Sequence, residues 1–206
     1  MENTVITIAR GYGSGGRTLG KLLAKELGLH YYDRELIRMA SDESGINEAL
    51  FGEVDEKLKK SPLWRIVKKT YNGEVIPPDS GEFVSDNNLF NYQAKVIRQL
   101  AKEESCVIIG RCADYILKDF DNVISLYFYA PREDCIKRVQ DISSESVREI
   151  EKKIDKIDKY RAEYYKYYTG KDWKDATNYD FCLNTTSMSY EKLVEVVKAY
   201  ITICKK

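Results

Sequence analysis

The feature that most constrains this chain is a block of glycines near its start, at residues 11–16. The block lies between a β-branched run at residues 5–8, which is typical of a strand, and a segment in which leucine recurs at helical spacing over residues 19–27. Gly28 is placed to end that helix, and residues 29–32 then have the pattern of a second strand. A strand, a helix and a strand in this order predict a parallel sheet.

The glycine block matches the phosphate-binding pattern G-x-x-x-x-G-K-S/T, with Arg17 in place of the lysine. Glycines let the backbone N–H groups of such a loop point inward around a polyphosphate, and the next helix presents its positive N-terminal end to the same anion. Arg17 is expected to neutralise phosphate oxygens, and the Thr18 hydroxyl to bind Mg²⁺. The alternative is a turn that only joins strand to helix. The residues predicted to hold a nucleoside triphosphate are Gly11, Gly13, Ser14, Gly15, Gly16, Arg17 and Thr18.

Composition narrows the classes of partner and of chemistry. The 33 basic and 33 acidic side chains cancel, so no overall cationic field favours a polynucleotide partner. No apolar stretch approaches the roughly 20 residues that cross a bilayer, so we expect a soluble, cytoplasmic protein without a membrane partner. One histidine, His30, and five dispersed cysteines do not favour a multi-histidine metal site or a disulfide framework. Catalysis is therefore expected to depend on Arg, Asp and backbone amides.

The rest of the chain alternates strand and helix patterns. Apolar runs at residues 106–109 and 123–130 predict two strands buried on both faces, and residues 179–183 predict a last strand. Residues 144–169 carry the stripe of a long helix, in which Arg161 occupies an apolar position. Residues 41–86 are rich in turn signals and indicate an inserted, mobile segment, after which Asp86 or Asn87 caps the next helix. The fold class expected is α/β, a three-layer α/β/α arrangement in one domain over residues 1–206.

Four short motifs follow the glycine block along the chain. They are Tyr31-Tyr32-Asp33, Ile109-Gly110-Arg111-Cys112-Ala113-Asp114, Asp158-Lys159-Tyr160-Arg161 followed by Tyr164-Tyr165, and Leu183-Asn184-Thr185-Thr186. With the block itself, they make the chain resemble the cytidylate-kinase-like family of P-loop nucleoside monophosphate kinases over nearly its whole length. The resemblance implies a P-loop NTPase fold with a central parallel sheet, an acceptor-binding insertion at about residues 41–86 and a helical lid at about residues 138–178.

The same resemblance implies ATP as phosphoryl donor, with Mg²⁺, and gives roles to individual residues. Arg111 and Asp33 would face the acceptor, and the lid would supply positive charge. The chain departs from the cytidylate kinases at residues 109–112, where those enzymes have Asp-Gly-Arg-Asp and both acids are absent here. Asp33 or Asp114 could substitute for them. The candidate catalytic residues are Arg17, Asp33, Arg138 and Arg161, and the candidate acceptor-binding residues are Asp33, Arg111, Asp114 and Arg148.

Several of these assignments have structural alternatives when the residues are considered alone. Arg161 either meets an anion or pairs with Asp158 or Glu163, and Asp33 either contacts the acceptor or caps the following helix. Arg138 fits a solvated helix face equally well.

The function that the sequence indicates is phosphoryl transfer from a nucleoside triphosphate to a small acceptor, above all a pyrimidine nucleoside monophosphate. Two alternatives stay open. One is a P-loop kinase of a different small molecule or nucleoside. The other is a nucleotide-binding regulator without transfer activity. The arginine at position 17 and the absence of acids at positions 109 and 112 favour this alternative. The oligomeric state has no signal in the sequence.

Overall fold

The computed structural model describes residues 3–57 and 73–204, and within them five parallel strands form one central sheet. The strands are β1 (Val5–Arg10), β2 (His30–Tyr32), β3 (Cys106–Ile109), β4 (Val123–Tyr129) and β5 (Phe181–Asn184), in the order β2-β3-β1-β4-β5. The helices are α1 (Gly16–Leu27), α2 (Glu35–Ser44), α3 (Glu48–Lys57), α4 (Asp86–Glu103), α5 (Ala113–Ile116), α6 (Arg132–Gln140), α7 (Val147–Thr169) and α8 (Tyr190–Cys204).

Side chains of β1 alternate between two apolar cores, one on each face of the sheet. Ile6 and Ile8 pack with α1 and α8, whereas Val5 and Ala9 pack with residues of α4, α5 and α7. Because both faces are covered, the central strands β1 and β3 are apolar at nearly every position. The predicted three-layer α/β/α architecture with a parallel sheet is confirmed.

Most helix boundaries follow from local sequence signals. Gly28 ends α1 in the left-handed conformation, as its position predicts. The prediction for α4 was wrong by one residue, because Ser85 is the N-cap and its hydroxyl accepts a hydrogen bond from the amide of Asn88. The last strand is β5, at Phe181–Asn184, rather than residues 179–183.

The segment predicted as an insertion is only partly a set of turns. Residues 41–57 belong largely to α2 and α3, and residues 58–72 lie outside the described part of the chain. Residues 73–85 form turns, which the buried side chain of Asn88 fixes to α4. Its Oδ1 accepts from the Ile76 amide at 2.7 Å, and its Nδ2 donates to the Phe83 carbonyl at 2.7 Å. A single buried amide therefore holds the end of this segment against the core.

The predicted lid, at about residues 138–178, contains the end of α6 and all of α7. These two helices pack on each other through the small apolar cluster Cys135, Val139, Ile150 and Ile154. A capping box between Ser146 and Glu149 starts α7, and Gly170 ends it. At 23 residues, α7 is about 35 Å long and reaches from the exposed end of α6 to the aromatic core. No helix in the described part of the chain combines the length and the apolar composition that a membrane span requires.

Candidate functional site

The sheet brings its functional side chains together at one edge, where the parallel strands end. β1 ends at Arg10 and continues into the glycine loop, defined as residues 11–18. Asp33 follows β2, and Gly110 and Arg111 follow β3. Since β2, β3 and β1 are neighbours in the sheet, these groups surround a common crevice, which is where ligands bind in open α/β sheets.

The glycine loop holds a conformation that side chains would prevent. Gly13 and Gly15 have φ values of 75° and 78°, and a Cβ on Gly13 would lie 2.7 Å from the Cys135 carbonyl oxygen. The amides of Gly13, Gly15, Arg17 and Thr18 form no hydrogen bond with any described residue. Four backbone donors at the start of α1 are thus available to an anion.

The side chains of Arg138 and Thr185 hold the backbone of the glycine loop in place. Arg138 of α6 donates to the Ser14 carbonyl at 2.7 Å and to the hydroxyl and the carbonyl of Thr185, both at 2.8 Å. The Thr185 hydroxyl donates to the same Ser14 carbonyl. The structure thus places Arg138 against the loop backbone rather than on a solvated face, and its contacts here are to protein atoms.

Helix α7 contacts the opposite side of the loop. Asp158 accepts a hydrogen bond from the amide of Tyr12 at 2.8 Å. Arg161 donates to the carbonyl of Arg10 at 3.0 Å and lies 3.4 Å from the Asp158 carboxylate. Arg161 therefore has the ion pair that one alternative predicts, and it also faces the crevice. Sequence reasoning did not assign Asp158 to the loop.

The crevice encloses a cavity of about 270 Å³, called here the arginine cavity. Its charged lining consists of Arg10, Arg17, Arg34, Arg111 and Arg161, with the carboxylates Asp33 and Asp114. Tyr160, Tyr164, Tyr165 and Trp173 form much of the rest of the wall. The predicted residues Arg17, Asp33, Arg111, Asp114 and Arg161 are thus brought together.

Sequence reasoning missed two charged residues of the cavity, Arg34, which is exposed, and Arg10. Of the two, Arg10 is the one with the buried guanidinium. Its Nε is buried and has no hydrogen-bond partner among the described residues. Burial, and then the charges of Arg161, Arg17 and Arg111 against the opposing charge of Asp33, lower the pKa of Arg10 to about 9. The side chain therefore stays protonated at neutral pH. A signal was present, because Arg10 stands at the carboxyl end of a strand, as Arg111 does.

Arg17 points into the arginine cavity and forms a bidentate ion pair with Asp33. Its Nε lies 2.8 Å from Oδ2, and its Nη2 donates to Oδ1 at 3.2 Å. Asp33 therefore neither caps α2, whose N-cap is Arg34, nor stands free in the cavity. In this state the one basic side chain of the glycine loop lies on the cavity side, not among the free amides.

The segment after β3 has an unusual backbone that presents Arg111. Gly110, Arg111 and Cys112 have φ values of 68°, 61° and 54°, in the left-handed region. Only glycine adopts this region without strain, so two side chains are held there at a cost of about 1–2 kcal/mol each. A Cβ at position 110 would meet the Arg10 guanidinium, which would have to shift.

Asp114 lies at the far wall of the cavity, on α5, and accepts a hydrogen bond from the Tyr165 hydroxyl at 2.6 Å. Burial raises the pKa of Asp114 to about 6, and the hydrogen bond from Tyr165 opposes that rise. The carboxyl therefore changes charge close to neutral pH. Arginine charge dominates the cavity even more strongly when this proton is bound.

Two predicted residues, in addition to Arg138, lie outside the cavity. Arg148 is exposed in the first turn of α7, and at 13 residues from Arg161 it is about 20 Å away along the helix. Thr18 is exposed in the first turn of α1, beside the free amides. In the described residues, no three His, Cys, Asp or Glu side chains form a cluster that could hold a metal ion. A metal at Thr18 would thus take most of its ligands from phosphate and water oxygens.

Comparison with known proteins identifies the family of the chain and its fold. The model of the Cytidylate kinase-like family matches residues 5–187. A curated cytidylate kinase of Pyrococcus horikoshii is 27% identical over 97% of this chain and 89% of its own. A crystal structure of an uncharacterized protein from Eubacterium ventriosum superposes with a TM-score of 0.70 and 25% identity, covering 97% of this chain and 99% of that one.

One further solved structure bears on the fold alone. Shikimate kinase from Bacteroides thetaiotaomicron superposes with a TM-score of 0.55 and 14% identity, over 97% of this chain and 98% of that chain. The likeness confirms the predicted P-loop fold. The matched family region begins with β1 and ends just after β5, so it includes the glycine loop, the arginine cavity and α7.

Proposed function

The chain belongs to the cytidylate kinase-like family, and from that premise we propose that it transfers the γ-phosphoryl group of ATP to a pyrimidine nucleoside monophosphate. The donor phosphates would lie on the glycine loop, against the amides of Gly13, Gly15, Arg17 and Thr18. The acceptor would lie in the arginine cavity. Both sites open at the same edge of the sheet, as in-line transfer between them requires.

The observation that carries this proposal is the charge of the arginine cavity. Five arginines and two carboxylates line about 270 Å³, and a third carboxylate, Asp158, pairs with Arg161, so the side chains around the cavity carry more positive than negative charge. Such a balance of charge attracts an anion. A phosphate monoester supplies about two negative charges and accepts bidentate hydrogen bonds from guanidinium groups. An acceptor without a phosphate group would gain little from this charge.

The proposed reaction needs alignment and positive charge more than it needs a nucleophilic side chain. An oxygen of the acceptor phosphate forms a bond to the γ-phosphorus, and the bond from that phosphorus to the β,γ-bridging oxygen breaks as ADP leaves. Arg161, Arg10 and Arg111 would orient the acceptor phosphate, and the anchored α7 would exclude water. The Thr18 hydroxyl, together with phosphate oxygens, would hold Mg²⁺, which would supply positive charge beside the triphosphate.

An acceptor panel tests the proposal directly. Purified protein with ATP and Mg²⁺ is expected to convert CMP, dCMP or UMP to the diphosphate, measured as ADP release and by ³¹P NMR of the products. Turnover only of an acceptor that lacks phosphate, such as a nucleoside or shikimate, would replace the proposed acceptor class. ATP binding by calorimetry without transfer to any acceptor would instead select the regulator.

A variant of the cavity links the activity to the site. Arg111→Ala is expected to raise the acceptor KM by about tenfold or more and to leave ATP affinity nearly unchanged, because this arginine lines the cavity and not the glycine loop. The reverse pattern, with ATP affinity lost and the acceptor KM unchanged, would reassign Arg111 to the donor.

A further inference from the structure

The ion pair between Arg17 and Asp33 joins the two halves of the site. Arg17 belongs to the glycine loop, whereas Asp33 belongs to the wall of the arginine cavity. Two contacts, at 2.8 Å and 3.2 Å, hold the planar guanidinium against both carboxylate oxygens. A guanidinium bound in this way is oriented by its partner, and it loses both contacts if it turns toward another anion.

Because Arg17 is directed at Asp33, the one basic side chain of the glycine loop does not lie among its free amides. The free amides at Gly13, Gly15, Arg17 and Thr18 can bind phosphate through hydrogen bonds alone. The nearby Arg138 is already committed to the Ser14 and Thr185 carbonyls. Phosphoryl transfer needs a cation where charge develops on the donor phosphates. Arg17 is the basic residue of the loop, so its release from Asp33 decides whether that cation is present.

We propose that Asp33 is a positioning residue that holds Arg17 away from the donor phosphates until an acceptor engages Asp33. The inference rests on the proposed function and adds a control to it. An acceptor hydroxyl or amino group that donates to the Asp33 carboxylate competes with Arg17, and the freed guanidinium turns to the triphosphate. Full activation of the donor thus depends on an occupied arginine cavity. The device reduces transfer of the γ-phosphoryl group to water when no acceptor is bound.

The first test needs no acceptor. Mg²⁺ and a non-hydrolysable ATP analogue are titrated into the full chain by calorimetry. Asp33→Asn is expected to tighten binding about fivefold, since a partly exposed Arg–Asp pair is worth up to about that factor. In the Arg17→Ala background, the same Asp33 substitution is expected to change nothing, because the residue that it frees is absent. Asp33→Glu keeps the carboxylate and is expected to restore the affinity of the parent chain.

A matched control comes from an ion pair elsewhere on the surface. Arg132 donates to Asp155 at 2.6 Å and 3.0 Å, also a bidentate pair but through Nη1 and Nη2, on the exposed sides of α6 and α7. Asp155→Asn is expected to leave the affinity for the analogue unchanged. Equal affinity in Asp33→Asn and the parent, weaker affinity in Asp33→Asn, or a gain that persists without Arg17 would each overturn the proposal.

The second test measures the reaction with water. Asp33→Asn is expected to release ADP and inorganic phosphate from ATP severalfold faster than the parent chain when no acceptor is present, with one water consumed per ATP. Hydrolysis that does not rise above the parent rate would contradict the proposed control. The binding result without acceptor does not depend on which acceptor is used. A failure of the pyrimidine nucleotide panel would therefore overturn the proposed acceptor and leave the role of Asp33 to be judged on its own.

Discussion

The glycine loop and the arginine cavity are neighbours at one edge of the sheet, yet they attract anions by different means. The loop uses backbone amides at the start of α1, which carry partial charges and never titrate. The cavity uses full charges on long side chains, which repel one another while it is empty. Backbone geometry therefore limits the affinity of the loop for anions. The balance of positive and negative side chains limits the affinity of the cavity.

This difference separates two kinds of sensitivity. A site built from amides tolerates changes of pH and is damaged by any atom that moves its backbone. A site built from guanidinium and carboxyl groups tolerates small displacements and responds to changes of charge. The three predictions below use this contrast, from the largest expected effect to the smallest.

The largest effect is expected from pH, through Asp114. Its pKa of about 6 in the folded chain lies above the ordinary value of 3.8, so the folded state keeps a proton that the unfolded state loses. Stability contributed by this group is therefore present below about pH 4, falls as pH rises toward 6, and is about 3 kcal/mol lower at pH 7. Urea unfolding at pH 4 to 7 measures this fall, which Asp114→Asn should abolish.

Two controls assign that effect to the cavity. Tyr165→Phe removes the hydrogen bond that favours the Asp114 carboxylate, so the pKa of Asp114 should rise. The fall in the free energy of unfolding should then extend to higher pH. Gly13→Ala changes the loop without changing a titrating group. Its free energy of unfolding should therefore fall with rising pH by the same amount as that of the parent chain. Parallel stability curves for the parent and Asp114→Asn would contradict the assignment.

The next effect is expected from geometry, at Gly13. Alanine there meets the Cys135 carbonyl oxygen at 2.7 Å and must also adopt a φ of 75°. Displacement of the loop backbone by a fraction of an ångström or more is expected to lower kcat/KM for ATP about 100-fold. Steady-state kinetics with varied ATP measures the loss.

Gly45 provides the matched control, because its φ is 72° but a Cβ there has nothing within 4 Å. Gly45→Ala carries the conformational strain of about 1 kcal/mol without the collision, and kcat/KM should stay near the parent value. Similar losses in the two variants would show that strain, not the position of the loop, sets the activity.

The smallest effect is expected from removing one charge, with Arg10→Met. Methionine keeps an apolar stem beside Gly16 but removes the guanidinium that lies beside Gly110 at the cavity. The acceptor KM should rise about tenfold, while the free energy of unfolding stays the same or increases, because repulsion among the arginines is relieved. Denaturant unfolding and kinetics with varied acceptor measure both. A variant that is less stable and has an unchanged acceptor KM would show that Arg10 stabilises the fold and does not bind the acceptor.

Sequence reasoning succeeded where a structure depends on neighbours along the chain. The glycine block required a particular backbone whatever surrounds it, and Gly28 and the stripe of α7 carried their own signals. These local patterns were enough to predict the sheet, its parallel direction and the placement of the loop at the strand end. Arg111 and Asp33 were found because strand ends meet at one edge.

What sequence reasoning missed depends on partners far apart in the chain. Arg161 bonds to the Arg10 carbonyl across 151 positions, and Asp158 reaches the Tyr12 amide across 146. The motif assigned Arg17 to the phosphates, but a long side chain takes its direction from whichever partner the fold brings near, here Asp33. No local pattern specifies which of two possible anions an arginine meets.

The left-handed backbone at Arg111 has a consequence for engineering. Glycine at this position would relieve about 1 kcal/mol of strain and would make the unliganded protein harder to unfold. The same substitution would delete a guanidinium from the cavity wall. A screen that rewards thermal stability alone would therefore choose the glycine early and discard the residue that the ligand needs, whereas a screen run with nucleotide present would keep the arginine.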